Sequence, residues 1–138
     1  MKNNYENLKG DDYMPNAGDS YTVEIRQSHL DWGRHRYTYT RDRIPGEGYV
    51  KIPRRFAVLY NILRGDCFTA TFSDGYPSFQ ARAAGNSEAG DIYAKQFQGD
   101  GDLKAFARWY AANDAQVGDF VTVTFLNSHT VNFELIKD

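Results

Sequence analysis

Alternation of apolar and polar positions along the chain predicts a protein built mostly from short β-strands. In residues 20–26, the apolar side chains of Tyr21, Val23 and Ile25 alternate with polar neighbours, a period of two that is typical of a strand with one buried face. Comparable patterns predict further strands at residues 48–52, 67–72, 78–82, 120–126 and 129–136. The last two are separated by an Asn-Ser pair, which favours a tight hairpin.

Two segments instead carry apolar residues at helical spacing. One, residues 54–63, follows Pro53, whose fixed φ suits the first position of a helix. The other, residues 103–114, follows Asp102, whose carboxylate is suited to cap a helix N-terminus. Before it, residues 83–102 are rich in glycine and polar groups and predict a long irregular connection. About seven strands and two short helices favour a mainly β fold, a closed sheet whose ends are plugged by helices.

Composition sets bounds on this fold. A chain of 138 residues with 41% hydrophobic and 15% aromatic residues is large enough to fold as one domain with its own core. The single cysteine, Cys67, excludes a disulfide framework and a cysteine-built zinc site, and its place in a strand pattern predicts burial. No apolar run is long enough to span a bilayer, and residues 1–19 lack the apolar core of a signal peptide, so we expect a cytoplasmic protein. We expect residues 1–19 to be a flexible lead-in and residues 20–138 to form the domain.

Positive charge is concentrated in one segment, residues 26–55. This segment holds eight Lys/Arg against three acids, a local net charge of +5, while the rest of the chain sums to −7. The asymmetry indicates an anionic partner. Tyrosines are interleaved with the arginines. Arginine forms paired hydrogen bonds to guanine edges and phosphates, and a tyrosine hydroxyl donates to phosphate, so these residue types favour a nucleic acid.

The order of short motifs resembles that of B3-type DNA-binding domains. After a strand, residues 52–57 read Ile-Pro-Arg-Arg-Phe-Ala, and Gly65-Asp66 opens the next strand. Later, residues 102–107 (Asp-Leu-Lys-Ala-Phe-Ala) precede residues 115–121 (Ala-Gln-Val-Gly-Asp-Phe-Val), and the closing hairpin completes the order. The resemblance implies a seven-stranded pseudobarrel that binds double-stranded DNA sequence-specifically through two arms inserted in the major groove.

The two arms implied by the resemblance are residues 26–48 and residues 83–98. The first arm is longer than in the plant transcription factors of the family, which places the chain nearer to the recognition domains of restriction endonucleases. Arg54, at a predicted helix start, is a further candidate for a phosphate contact. The candidate DNA contacts are Arg26, His29, Arg34, His35, Arg36, Tyr37, Tyr39, Arg41, Arg43, Arg54, Arg82, Asn86, Lys95 and Gln96.

No catalytic set is recognisable in the sequence, and we expect no cofactor and no metal. The resemblance implies double-stranded DNA as the partner, in the recognition module of a restriction-type system or in a stand-alone DNA-binding protein. In the first case a nuclease subunit or domain is a further partner. Two alternatives stay open. His29, Asp31 and His35 would serve a small metal-dependent nuclease or phosphodiesterase, and in a protein-binding adaptor the basic loop would dock an acidic protein surface.

Overall fold

Seven strands and three short helices make up the part of the chain that the computed structural model describes, residues 15–30, 46–85 and 91–138. In chain order they are β1 (Ser20–Glu24), α1 (Gln27–Leu30), β2 (Val50–Lys51), α2 (Arg54–Tyr60), β3 (Cys67–Phe72), β4 (Phe79–Ala84), β5 (Gln96–Gly99), α3 (Ala105–Ala112), β6 (Phe120–Asn127) and β7 (Thr130–Ile136). No helix among these residues is long and apolar enough to cross a membrane.

All seven strands belong to one sheet, in the order β1-β6-β7-β3-β4-β5-β2. Neighbouring strands are antiparallel except β3 and β7, which are parallel. The sheet curls until its two edge strands approach each other, since the Tyr21 hydroxyl on β1 donates to the Lys51 carbonyl oxygen on β2 at 2.9 Å. A sheet that closes almost completely in this way is a pseudobarrel, and the predicted fold class is confirmed.

Aromatic rings fill the interior of the barrel. The ring centroids of Phe68 and Phe125 are 5.6 Å apart, and those of Phe97 and Phe133 are 5.5 Å apart. In each pair the edge of one ring meets the face of the other. Such pairs are favoured over flat sandwiches because the positive ring edge meets the negative ring face. All four side chains are almost fully buried, and each contributes about 1.5–3 kcal/mol on burial.

Two of the helices close the barrel with further aromatic side chains. From α3, Phe106 lies 5.0 Å from Phe133 and Trp109 lies 4.9 Å from Phe72, which confirms the predicted core role of this helix. From α2, Phe56 stacks on Tyr21 with 5.3 Å between the ring centroids. Side chains of α2 and α3 therefore cover the interior of the barrel where each helix packs on it.

Two elements of the structure, β5 and α1, differ from what the sequence predicts. Residues 83–102 were predicted to be irregular, but β5 lies within them. The alternation of outward Gln96, inward Phe97 and outward Gln98 spans too few residues to stand out among the flanking glycines. Gly99 ends this strand beside the next turn, where a Cβ would overlap the Asp102 carbonyl oxygen. The four-residue helix α1 was not predicted, because so short an element has no periodicity.

Other boundaries and one burial prediction also change. Helix α2 ends at Tyr60, because Asn61 adopts a left-handed conformation with φ of 57°. Helix α3 begins only at Ala105, and Asp102 Oδ1 accepts the Lys104 N–H in the turn before it. Cys67 was predicted to be buried, but it opens β3 with its side chain on the outer face and is exposed.

Gly18 and Asp19, at the end of the predicted lead-in, are bonded to the barrel. The Gly18 N–H donates to the Phe125 carbonyl oxygen at 2.8 Å, and the Phe125 N–H donates to the Asp19 backbone carbonyl oxygen at 2.8 Å. These bonds extend the β1–β6 ladder backwards by two residues. Residues 1–14 lie outside the described residues, so the flexible lead-in stays a prediction for them.

Candidate nucleic-acid interface

Four polar side chains share the outer face of three neighbouring strands. Lys51 on β2 pairs with Gln96 on β5, and Gln98 on β5 pairs with Arg82 on β4. Directly paired residues of an antiparallel ladder project to the same side. Gln96 Nε2 donates to Gln98 Oε1 at 3.0 Å, which places both pairs on one side of the sheet. We call Lys51, Arg82, Gln96 and Gln98 the outer sheet face.

The outer sheet face lies between the bases of the two arms. The first arm returns to the sheet at Val50, which pairs with Phe97. The second arm leaves β4 at Ala84 and enters β5 at Gln96, and these two residues are paired. Because β2 and β5 are antiparallel, the arms join this section from opposite ends of β5.

Backbone contacts around His29 fix the base of the first arm. His29 Nδ1 accepts the Arg26 N–H at 3.1 Å, and the His29 carbonyl oxygen accepts the Tyr49 N–H at 3.1 Å. Gly48 fits between α1 and α3, since a Cβ there would lie 2.9 Å from the His29 carbonyl oxygen and 3.1 Å from Ala107 Cβ. The residues that lead into the first arm and those that lead out of it, which we call its two limbs, are therefore held together at His29 and Gly48.

His29 itself is a packed residue with 3% of its surface exposed. Its ring lies 5.1 Å from that of Tyr49. Burial, reinforced by the charges of Lys51 and Arg26, lowers the pKa of His29 to about 4, so the imidazole is neutral at pH 7. Sequence reasoning counted His29 among the DNA contacts, but the structure places it inside the arm base, so we leave it out of the proposed contact surface.

A narrow neck forms the base of the second arm. The Lys95 N–H donates to the Ala84 carbonyl oxygen at 2.7 Å, and the Ile52 N–H donates to the Lys95 carbonyl oxygen at 2.9 Å. Gly85 has φ of +125°, and a Cβ there would lie 2.7 Å from Lys95 Cβ. Glycine is required at this point, since any side chain would force the two limbs of the arm apart.

Four candidate cations of the described residues lie at the surface: Arg26, Arg54, Arg82 and Lys95 are exposed. Arg82 NH1 is 3.9 Å from Asp100 Oδ1, and both side chains are about half exposed, so this ion pair holds the guanidinium weakly. Arg82 is thus able to exchange Asp100 for an anionic ligand.

Arg54 has a different environment. Its NH1 donates to Asp91 Oδ2 at 2.7 Å, and its Cζ lies 5.5 Å from the centroid of the Tyr93 ring. The guanidinium is engaged with residues of the second arm, which sequence reasoning did not foresee for a residue at a helix start.

The remaining candidates divide into two groups. Gln96 is 8% exposed, and its amide donates a hydrogen bond to Gln98. Within the outer sheet face, Gln96 therefore holds the Gln98 side chain in place and offers little surface of its own. Sequence reasoning missed Lys51 and Gln98, whose only signal was an outward position in a short strand. The candidates that lie outside the described residues are Arg34, His35, Arg36, Tyr37, Tyr39, Arg41, Arg43 and Asn86.

The metal-dependent alternative gains no support from the described residues. Among them, no group of three or more His, Cys, Asp or Glu side chains could hold a metal ion. His29 already uses Nδ1 as an acceptor inside the arm base. Asp31 and His35 lie outside the described residues.

Comparison with known proteins identifies the fold. No protein-family model and no curated protein matches the chain. A hypothetical protein of Arabidopsis thaliana is similar in structure, with a TM-score of 0.55 and 10% identity over 89% of this chain and 94% of that one. The N-terminal domain of Helicobacter pylori LlaJI.R1 is similar with a TM-score of 0.53 and 9% identity, over 85% of this chain and 86% of that one. The Arabidopsis FUS3–DNA complex gives a TM-score of 0.49 and 16% identity, over 85% of this chain and 95% of that one.

At these identities the similarity establishes the fold alone. The chain has a B3-like pseudobarrel, and the resemblance inferred from the short sequence motifs is confirmed. What the chain binds has to be argued from its own surface.

Proposed function

We propose that this chain is a domain that binds double-stranded DNA sequence-specifically, with both arms in the major groove and the outer sheet face turned toward it. The observation that carries the proposal is the placement of Lys51, Arg82 and Gln98 on one face between the two arm bases. The chain as a whole has a net charge of −2, so a cationic face between two arms is a local feature and not a consequence of overall composition.

The residue types on this face suit the two tasks of a DNA-binding surface. Lysine and arginine bind phosphates, which sets position and supplies salt-dependent affinity. Arginine also pairs with guanine, and glutamine pairs with adenine, in the major groove. Arg82 and Gln98 stand side by side on adjacent strands, so we propose that they read neighbouring bases or a base and its phosphate.

The first arm supplies most of the positive charge in this proposal. Residues 26–55 carry the local net charge of +5, and the cluster from Arg34 to Arg43 belongs to it. The fixed base at His29 and Gly48 supports the proposal, because it sets the point at which the arm leaves and rejoins the barrel. We propose Arg34, Arg36, Arg41 and Arg43 as phosphate and base contacts, with Arg26 and Lys95 at the edges of the surface.

We further propose that the domain has no catalytic activity of its own and acts in the cytoplasm. It would serve as the recognition module of a restriction-type system, with a nuclease subunit or domain as partner, or act alone as a DNA-binding protein. The long first arm is the sequence feature that favours the restriction-type role.

The test is selection of duplexes from a random library, followed by titration of the enriched duplex at several salt concentrations. The proposal predicts one enriched sequence, an affinity that falls steeply with salt, and no cleavage of the duplex in Mg²⁺ or Mn²⁺. Failure to enrich any sequence, together with no binding at low salt, would overturn it. Cleavage of the duplex would favour the nuclease alternative.

A further inference from the structure

The returning limb of the second arm, residues 91–95, is held to the barrel by a ladder of backbone bonds. The Arg64 N–H donates to the Ile92 carbonyl oxygen at 2.9 Å, and the Ala94 N–H donates to the Ile62 carbonyl oxygen at 3.0 Å. Lys95 is bonded to Ala84 across the neck of the arm. Asp91 stands one residue beyond the last of these bonds and is the first described residue after residues 86–90.

Asp91 is held by side-chain bonds of its own. Its Oδ1 accepts the Tyr93 N–H at 3.1 Å, and its Oδ2 accepts a hydrogen bond from Arg54 NH1 at 2.7 Å. The Tyr93 N–H and Arg54 lower the pKa of Asp91, so the carboxylate is ionised at neutral pH. The Asp91 side chain is 15% exposed, whereas that of Arg54 is 61% exposed.

The other end of this ion pair is fixed by α2. Phe56 stacks on Tyr21, and Ala57 is fully buried, so the first turn of the helix is tied to the core. The Arg54 guanidinium also lies over the Tyr93 ring, whose face attracts a cation. One side chain thus connects the start of a core-packed helix to two residues of the arm limb.

We propose that Arg54 is a positioning residue, which holds the returning limb of the second arm through Asp91 and Tyr93 and raises DNA affinity without contacting phosphate. The inference rests on the proposed function and deepens it. An ion pair this exposed adds little to global stability. It acts instead on the fraction of molecules whose second arm is correctly placed, because apparent affinity falls in proportion to that fraction.

The experiment compares Arg54→Ala, Asp91→Ala, the double variant and Arg55→Ala. Arg55 is the matched control: it is the next cation of the same helix turn, and its Cζ lies 4.6 Å from the centroid of the Phe56 ring. Each protein is measured for affinity to the enriched duplex, for the slope of affinity against salt, and, without DNA, for hydrogen exchange at the amides of residues 91–95.

The positioning role predicts about fivefold weaker binding for Arg54→Ala and for Asp91→Ala, with the double variant no weaker than either single variant. It predicts an unchanged salt slope in all three. In Arg54→Ala, which leaves the Asp91 acceptor of the Tyr93 N–H in place, it predicts faster exchange of the Tyr93 amide, and no such change in Arg55→Ala. The sign of the Asp91→Ala effect is decisive, since removing an acid near a phosphate-binding arginine would strengthen binding.

Tighter binding by Asp91→Ala, or a salt slope reduced by about one in Arg54→Ala with unchanged exchange, would overturn the inference in favour of a phosphate contact. If the wild-type protein binds no duplex, the proposed function fails. The exchange measurement then still decides whether Arg54 holds the arm, because it requires no ligand.

Discussion

Gln98 on β5 stands directly opposite Arg82 on β4, and both side chains lie on the outer sheet face. This pairing places a cation beside an amide on a surface bounded by two arm bases. The only acid near Arg82 in the described ion pairs is Asp100, at 3.9 Å and about 40% exposed. Mutations of Arg82 and Gln98 are therefore suitable tests of the proposed interface.

Replacing Arg82 tests whether this face binds DNA. We expect Arg82→Ala to weaken binding of the enriched duplex about tenfold, because one charge-assisted contact is lost. Arg108→Ala is the matched control, since Arg108 is 55% exposed, is paired with Asp102 and lies on α3, outside the set of residues that form the outer sheet face. Fluorescence anisotropy measures both, and equal losses for the two variants would remove the face from the interface.

Replacing Gln98 tests base reading. If Gln98 pairs with adenine, Gln98→Ala relaxes the preference at one position of the site by about 1–3 kcal/mol and leaves binding to random duplex nearly unchanged. Repeating the library selection with the variant measures this. Gln116→Ala, in the turn after α3, should return the wild-type site. A variant that selects the same sequence as wild type at every position would rule out base reading by Gln98.

The salt dependence of binding tests the first arm. Each phosphate contact contributes about −0.9 to the slope of log affinity against log salt. We expect Arg34→Ala with Arg36→Ala to reduce the slope by about 1.8 if both contact phosphate. An unchanged slope with unchanged affinity would show that the arm does not touch DNA, and the basic segment would then fit the adaptor alternative better.

Adding a methyl group at Gly48 tests the arm base. Gly48→Ala places a Cβ against the His29 carbonyl oxygen and Ala107, both in fixed backbone, so we expect a loss of about 1–3 kcal/mol in unfolding free energy and weaker DNA binding. Gly75→Ala is the control: its Cβ meets nothing within 4 Å, and only its φ of +86° is unfavourable. That variant should lose stability but, when measured well below its melting temperature, keep its DNA affinity.

The buried imidazole of His29 predicts a dependence of stability on pH. Its pKa of about 4 in the folded state lies below the ordinary value of 6.5, so between these values the unfolded chain binds more protons than the folded one. The free energy of unfolding is therefore highest above pH 6.5 and falls as the pH drops toward 4, by at most about 1.4 kcal/mol per pH unit from this group.

Urea unfolding at pH 7, 6 and 5 measures this contribution. His29→Asn should lower stability at pH 7 and remove part of the decline toward pH 5, whereas His129→Asn, at an exposed histidine, should keep the wild-type decline. An identical decline in His29→Asn and wild type would mean that His29 is not the group responsible.

The strands were predictable where alternation runs long enough, as in the hairpin of β6 and β7, and the two longer helices were predictable from Pro53 and from the apolar stripe of α3. β5 was not, because its three alternating residues follow a glycine-rich stretch. The site was predictable only as charge: clustered arginines are visible in a sequence, but which polar residue of a short strand faces outward depends on its pairing.

Burial and long-range pairing account for the other differences. Nothing local distinguishes His29 from the exposed polar residues beside it, since its burial comes from Tyr49 and the turn around Gly48. Arg54 and Asp91 are 37 positions apart, and their contact exists only because Leu63 and Tyr93 are brought together by the fold.

The most direct test of the central claim is methylation interference on the enriched duplex, because the methylated N7 of guanine lies in the major groove. The proposed binding mode predicts that methylation at guanines within the selected site prevents binding by the wild-type protein. It also predicts that Arg82→Ala loses interference at one or more of those guanines, while Arg108→Ala keeps the full pattern. Binding that tolerates methylation at every guanine of the site would contradict recognition through the major groove.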